Sequence, residues 1–442
     1  MTSWVTPDFF IFKGDQTYLS LETKAEQPDP DDLKGLKRIF RAFRYRNYRL
    51  FFAGQSVSWI GTWIQRIAMS WLVYRLTNSA FLLGVVGFSS QIPTFLFVSF
   101  AGVLVDRWSR HRILVVTQSL TMMYAMSLAI LVLTHRIAIW HIIGLGMFVG
   151  IVNAFDAPAR QSFVVEMVEK KEDLGNAIAL NSSMVNGARL IGPSVAGMLI
   201  SAVGEGICFL INSLSYLAVI AALLAMRLSP AGTEDQKTHV LGELKEGFSY
   251  TFGFPPIRSV LLLLSLVSLM GMPYVVLMPI FAKNILHGGP HTLGFLMGGV
   301  GAGALIGVVF LAARRSARGL EKTIPMATTI FGVGLIAFSL SRNFLLSLLL
   351  ITMAGFGMMV QTASCNTVLQ TIVDDDKRGR VMSFYAMSFM GTAPFGSLLA
   401  GSLASMMNAP STLLIGGTSC IIGAVIFASR LPSQRELFRA LG

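Results

Sequence analysis

Apolar stretches long enough to cross a membrane recur along this chain from residue 49 to residue 430, separated by short polar turns. They fall at about 49–74, 82–104, 113–134, 138–157, 176–203, 206–226, 258–284, 291–313, 324–341, 344–365, 381–406 and 411–430. A helix needs roughly 20 apolar residues to cross about 30 Å of hydrocarbon, and within that layer it satisfies its own backbone. The pattern predicts an all-α integral membrane protein with twelve transmembrane helices. Composition agrees: 13% of residues are charged, 53% are hydrophobic and the mean hydropathy is +0.64, against about 25% charged in a soluble domain.

The polar positions set the orientation. Lys34, Lys37, Arg38, Arg41, Arg44, Arg46 and Arg49 precede the first stretch, and every second loop after it is basic: Arg107, Arg110 and Arg112; Arg160, Lys170 and Lys171; Arg314, Arg315, Arg318 and Lys322; Lys377, Arg378 and Arg380. The opposite loops carry little beyond Arg75, Arg136, Lys283 and Arg342. Basic loops stay on the cytoplasmic side, so both termini are expected there, in a cell (inner or plasma) membrane. The net charge of +12 is thus a topology signal and not a nucleic-acid footprint.

Residues 227–257 interrupt the pattern with Ser229-Pro230-Ala231-Gly232 and a charged stretch in which Leu241, Leu244 and Phe248 keep helical spacing. This predicts a flexible tail at 1–33, a six-helix bundle at 34–228, a linker with an amphipathic surface helix at 229–257, a second bundle at 258–430 and a tail at 431–442. The halves repeat. Ala196-Gly197 and Ala400-Gly401 stand 204 positions apart, and "QSFVVEMVEKKEDLGNAIAL" overlays "CNTVLQTIVDDDKRGRVMSF". Parallel repeats of this kind belong to transporters that rock two bundles about a central site.

Three motifs carry more specific information. The first is Gly102-Val-Leu-Val-Asp106-Arg107-Trp-Ser-Arg110-His-Arg112, joining the second and third stretches. It resembles the loop motif G-x-L-x-D-R-x-G-R-R/K of the major facilitator superfamily. That resemblance implies a latch in which Asp106 meets the start of the eleventh helix near Arg380–Ser383, where a helix N-terminus favours a carboxylate. Second is Asp156, before Pro158 and Arg160. A carboxylate at the end of a span needs a partner, and Arg107 or Arg110 is expected; a solvated cap is the alternative. Third is Gly187-Ala-Arg189-Leu-Ile-Gly192-Pro193-Ser-Val-Ala-Gly197, similar to the antiporter motif G-x-x-x-G-P-x-x-G-G, in which Pro193 would kink the helix. From about residue 38 onward the chain looks most like the branch containing the enterobactin exporter and the macrolide-type efflux proteins. It departs from many drug–proton antiporters at Gly146, where their R-x-x-x-G pattern has a buried arginine.

Polar stripes inside apolar helices mark the candidate cavity. Gln55, Ser58, Thr62, Gln65 and Arg66 share one face of the first helix; Ser182, Asn186 and Arg189 share one face of the fifth. Tyr274, Gln361 and Tyr385 are the candidates in the second half. Arg189 near mid-membrane and Arg66 somewhat nearer the outer side would attract an anionic or oxygen-rich ligand; alternatively each is held structurally by carbonyls and amides.

The three cysteines lack metal-ligand spacing, and no nucleotide-binding motif or nucleophile–base cluster is visible. The expected protein is not an enzyme and carries no metal or cofactor. It is a monomeric secondary active exporter of a small amphipathic molecule (siderophore, drug or metabolite), anionic if the two arginines face it, driven by a coupling proton through alternating access. An uptake symporter and a non-transporting membrane sensor are the alternatives.

Overall fold

The apolar blocks fold as helices, and their polar punctuation supplies the caps. Ser79 opens one helix by accepting from the Leu82 N–H at 3.3 Å, and Asn343 opens another by accepting from the Leu346 N–H at 3.1 Å; such caps satisfy first-turn donors. A computed structural model describes residues 40–227, 250–314, 316, 319–374 and 377–440, without the side chains at 99, 103, 106, 171 and 433–440. The expected tail at 1–33 and the linker's amphipathic helix lie outside the described residues.

We number the helical segments α1 (Arg46–Thr77), α2 (Ala80–Arg107), α3 (Arg110–Leu133) and α4 (Ile139–Glu166). A continuous stretch Lys171–Leu224 follows. It breaks only at Gly204, whose φ of 78° is open to glycine at little cost, so we divide it into α5 (171–203) and α6 (205–224). The second half holds α7 (Pro255–Ile285), α8 (Pro290–Ala312), α9 (Leu320–Leu340), α10 (Phe344–Ile372), α11 (378–406) and α12 (Ala409–Ala440). No strand occurs among the described residues. Nine stretches among them are long and apolar enough to cross a membrane, and one of these, Glu172–Leu224, has the length of two spans.

The helix continues through Pro193, and the chain turns at Gly204, between the two expected spans; a proline removes one hydrogen bond, whereas φ above zero reverses the chain. The expected tail after residue 430 begins as a helical continuation of α12, which runs on past the end of its apolar span at Pro432. The sequence also gave no sign of three π-helical turns, Val267–Gly271 and Phe281–Ile285 in α7 and Met387–Gly391 in α11.

α1 packs on the α5–α6 pair, α2 on α4 and α3 on α6; in the second half α10 packs on α8 and α9, and α12 on α9. The halves meet along two seams, α5 with α8 and α2 with α11. Both seams are built of small residues. A Cβ on Gly294 would lie 2.5 Å from the Pro193 carbonyl oxygen and 2.8 Å from Gly197 Cα. A Cβ on Gly401 would lie 2.7 Å from the Ala80 carbonyl oxygen and 2.8 Å from Gly84 Cα. Gly197 and Gly401, matched by the internal repeat, therefore take equivalent places in the two seams.

We call the end holding the start of α1 and the end of α12 proximal, and the other distal. Both seams run through the distal half. At its rim Asn284 Nδ2 donates to the Tyr74 hydroxyl at 2.7 Å, and Lys283 Nζ donates to Asn78 Oδ1 at 2.8 Å. Toward the proximal end the seam helices part. Leu96, Phe97, Val98 and Phe100 of α2 are all exposed. Positions 100° apart on a helix cannot all face lipid, so this part of α2 borders an open cleft. Leu305, Ile306, Val309 and Phe310 form an exposed stripe along one face of α8.

Candidate functional site

The polar face of α1 is organised by two tryptophans one turn apart, Trp59 and Trp63, packed with Met184 and Ala188 of α5. Each carries guanidinium groups. Arg160 Cζ lies 4.8 Å from the Trp59 ring centroid; Arg66 and Arg189 Cζ lie 4.9 and 6.0 Å from that of Trp63. Such contacts contribute about 0.5–2 kcal/mol, more where water is excluded. Gly192 of α5 makes the approach possible, because a Cβ there would collide with Trp63 Cβ. The motif Gly192-Pro193-Gly197 thus acts through contact: Gly192 admits Trp63, and Pro193 and Gly197 receive α8.

The rest of the α1 stripe mostly faces its own bundle. Gln65 Oε1 accepts from Asn212 Nδ2 of α6 at 2.7 Å, and the Thr62 hydroxyl lies 3.3 Å from that of Tyr216. Gln55 and Ser58 are buried, while Thr62 and Arg66 are half-buried. On α5, Ser182 and Asn186 are half-buried and linked along the helix, Asn186 Nδ2 donating to the Ser182 carbonyl at 2.9 Å; Arg189 is buried. Of the expected α1–α5 stripe, Arg66 and Arg189 come together, both in contact with the Trp63 ring.

Asp156 is fully partnered, though not as expected. Its Oδ1 accepts from Thr117 Oγ1 at 2.8 Å and Gln118 Nε2 at 2.7 Å, and Oδ2 pairs with Arg160 at 3.1 Å. Arg110 instead pairs with Glu166 at 2.7 Å, and Arg107 and Arg112 are exposed. The reason is helical geometry. Residues i and i+4 share a face, which gives Asp156 a cation on its own helix. Gly102 has open space beside it; the Asp106 side chain lies outside the described residues.

In the second half the candidates turn inward. Gln361 accepts from Thr362 Oγ1 at 3.1 Å and donates toward Cys365 Sγ, while the Tyr385 hydroxyl donates to the Thr362 carbonyl at 3.3 Å. Tyr385 thus joins α11 to α10, while Gln361 is bonded along its own helix, and both are buried. Tyr274 is also fully buried, edge-on to Phe331 at 6.0 Å.

A family model described as "Transmembrane secretion effector" matches residues 38–438. The chain belongs to this family of the major facilitator superfamily. It is 24% identical to the staphyloferrin A transporter of Staphylococcus aureus over 86% of this chain and 95% of that protein. It is 24% identical to the multidrug efflux pump Tap of Mycolicibacterium fortuitum over 85% of this chain and 93% of that one. Among solved structures it resembles a bacterial homologue of the human lysosomal transporter Spinster in an inward-facing, unoccupied conformation, with a TM-score of 0.64 and 14% identity, covering 89% of this chain and 98% of that one. The protein is accordingly a multi-pass membrane transporter of small molecules, and its family is one of transporters, not enzymes.

Reading the sequence for polar side chains missed the transporter's aromatic scaffold. Trp59 and Trp63, one turn apart and three residues before Arg66, were visible as a spacing. Asn212, Tyr216, Thr117 and Gln118 had no local signal, because only the tertiary fold brings α3 and α6 to α1 and α4.

Proposed function

We propose that this transporter is a secondary active exporter of small amphipathic molecules bearing an oxyanion, working by alternating access. The observation that carries the reading is the placement of Arg66 and Arg189 on one tryptophan at the depth where the distal seams begin. A substrate entering the proximal cleft meets two cations at the end of its path. Guanidinium forks favour carboxylate and catecholate groups. The relatives support the class, since one is named for a siderophore and the other for multiple drugs.

In this reading the twelve segments all cross a cell membrane, residues 34–228 and 258–430 form the two bundles, and the basic proximal end is cytoplasmic, as the positive-inside rule requires. The described form is then open to the cytoplasm. The latch residues Gly102, Asp106, Arg107, Arg110 and Arg112 engage when that side closes. With no nucleotide-binding motif in the sequence, an ion gradient supplies the drive, and a proton is the coupling ion we favour. The protein acts as a monomer.

The test is transport by the full chain in liposomes under an imposed pH gradient, with labelled siderophores and drugs. Gradient-dependent movement in the export direction is expected. Binding without movement under any gradient would make the protein a sensor, and movement toward the cytoplasm would make it an uptake symporter. Asp106→Asn should shift the inward/outward balance, read by accessibility of cysteines placed in the cleft; an unchanged balance removes the latch.

A further inference from the structure

Tyr274 is fully buried, yet its hydroxyl has no hydrogen-bond partner. Burying a phenolic O–H without an acceptor forfeits its hydration, so such groups are rare unless something arrives to receive them. It lies in the buried core against Phe331 of its own bundle, but at the edge where that bundle meets the first. The Tyr274–Ile280 segment packs against α1 and α2 of the first bundle as well as α8. It follows directly on the π-helical turn Val267–Gly271, in which the Met272 N–H reaches back to the Val267 carbonyl at 2.9 Å. Insertions of this kind re-aim the following side chain and recur at functional positions.

Tyr274 lies at the depth of the arginine site. It stands eleven positions before Ile285, the distal end of α7, and Arg189 stands fourteen before residue 203, the end of α5. At 1.5 Å per residue they lie roughly 16 and 21 Å from the distal rim, within about one helical turn of each other. They are also within electrostatic range of one another. α8 holds Arg189 in place, since a Cβ on Gly301 would lie 2.9 Å from the Arg189 carbonyl oxygen. The Phe331 ring fixes the phenol.

We propose that Arg189 and the Tyr274 hydroxyl, one from each bundle, clamp a single oxyanion of the substrate, a carboxylate or a catecholate. Arg189 supplies charge and Tyr274 donates a hydrogen bond, so the ligand ties the bundles together at mid-membrane. This rests on the exporter reading and assigns the second bundle its contact. A cation or a neutral apolar molecule has nothing to offer the phenol, so Tyr274 separates oxyanions from other amphipathic cargo.

The test uses the full chain in nanodiscs, with citrate and 2,3-dihydroxybenzoate as oxyanion probes and tetraphenylphosphonium as the contrast. Tyr274→Phe should weaken both oxyanions about tenfold, the loss of one hydrogen bond to an anion. It should leave tetraphenylphosphonium binding unchanged and the melting temperature equal or higher, because an unsatisfied hydroxyl is gone. Wild-type oxyanion affinity in Tyr274→Phe overturns the clamp. So does a clear loss of thermal stability in that variant, which would show the hydroxyl to be a structural bond, and so does wild-type protein that binds neither oxyanion. The exporter reading fails separately, if wild-type liposomes move no substrate under any gradient.

Discussion

The two bundles share a layout but are filled differently. The first buries Asp156, Asp173, Arg189 and Glu205 together with Gln55, Gln65 and Asn212. The second, among its described residues, buries no charged side chain. Its polar groups are hydroxyls and amides, and its helices close on glycine: a Cβ on Gly355 would collide with the Val300 carbonyl oxygen, and one on Gly357 would lie 2.6 Å from the Phe331 nitrogen. Charge in an apolar medium is costly unless paired and held rigidly, whereas helices that touch through glycine need no directional bond to pack. The first bundle accordingly holds charged groups in fixed contacts, whereas the second is filled by hydroxyls, amides and apolar groups and has all three π-helical turns, in its α7 and α11.

The largest effect expected from this contrast is on transport. Arg189→Ala should reduce movement of an anionic substrate by more than tenfold, while Gln361→Leu at a fully buried site of the second bundle should leave it within about twofold. Liposome flux with both variants checks this, and equal losses would dissolve the distinction. Next is stability. Asp156→Ala leaves Arg160 without its carboxylate and should cost about 3 kcal/mol, toward the low end for buried pairs because Arg160 is partly exposed; Gln361→Leu should cost about 1 kcal/mol. Thermal unfolding in detergent, compared between the two, is the measurement.

The seams give a smaller effect of another kind. Gly294→Val should oppose distal closure by about 1–3 kcal/mol of overpacking, moving spin-label distances across the rim toward separation; Gly144→Ala in α4, with open space around it, should move nothing. At the rim itself, Tyr74→Phe removes the bond from Asn284 and should weaken closure by about 1 kcal/mol, read by cross-linking of cysteines at 78 and 283.

The smallest effect is a pH dependence at the proximal surface. Burial, and then the hydrogen bond to Asp173 at 2.9 Å, raise the Tyr45 phenol above its usual value of 10.0. The folded state thus keeps its proton after the unfolded state has begun to lose it. The stabilisation is complete below pH 10 and fades as pH rises through the raised value. Melting curves at pH 9 and 11 should differ more for the wild type than for Tyr45→Phe.

The fold could be read from the sequence to a large extent, because a span writes itself as some twenty apolar residues. Even the turn between 203 and 206 was legible, and the repeat matched Gly197 to Gly401, the two seam glycines. The site was less so. A polar stripe announces that a helix face avoids lipid, but not whether it meets a cavity or a neighbour. Gln65 met Asn212, and Asp156 met Arg160 where a partner from the loop was expected. Cation–π stacking on Trp59 and Trp63 escaped because tryptophan in an apolar helix reads as packing.

Gly204 has a mechanical consequence. α5 and α6 are joined through one residue, with no loop to absorb slack, and α5 carries Arg189 and one seam while α6 braces α1 and α3. A displacement of α5 would therefore reach α6 through a corner with no spare length, as in a bell crank. Inserting two or three glycines at this corner would let each arm move alone. Such a protein should still fold and still bind, but its strokes would no longer be geared to its cargo.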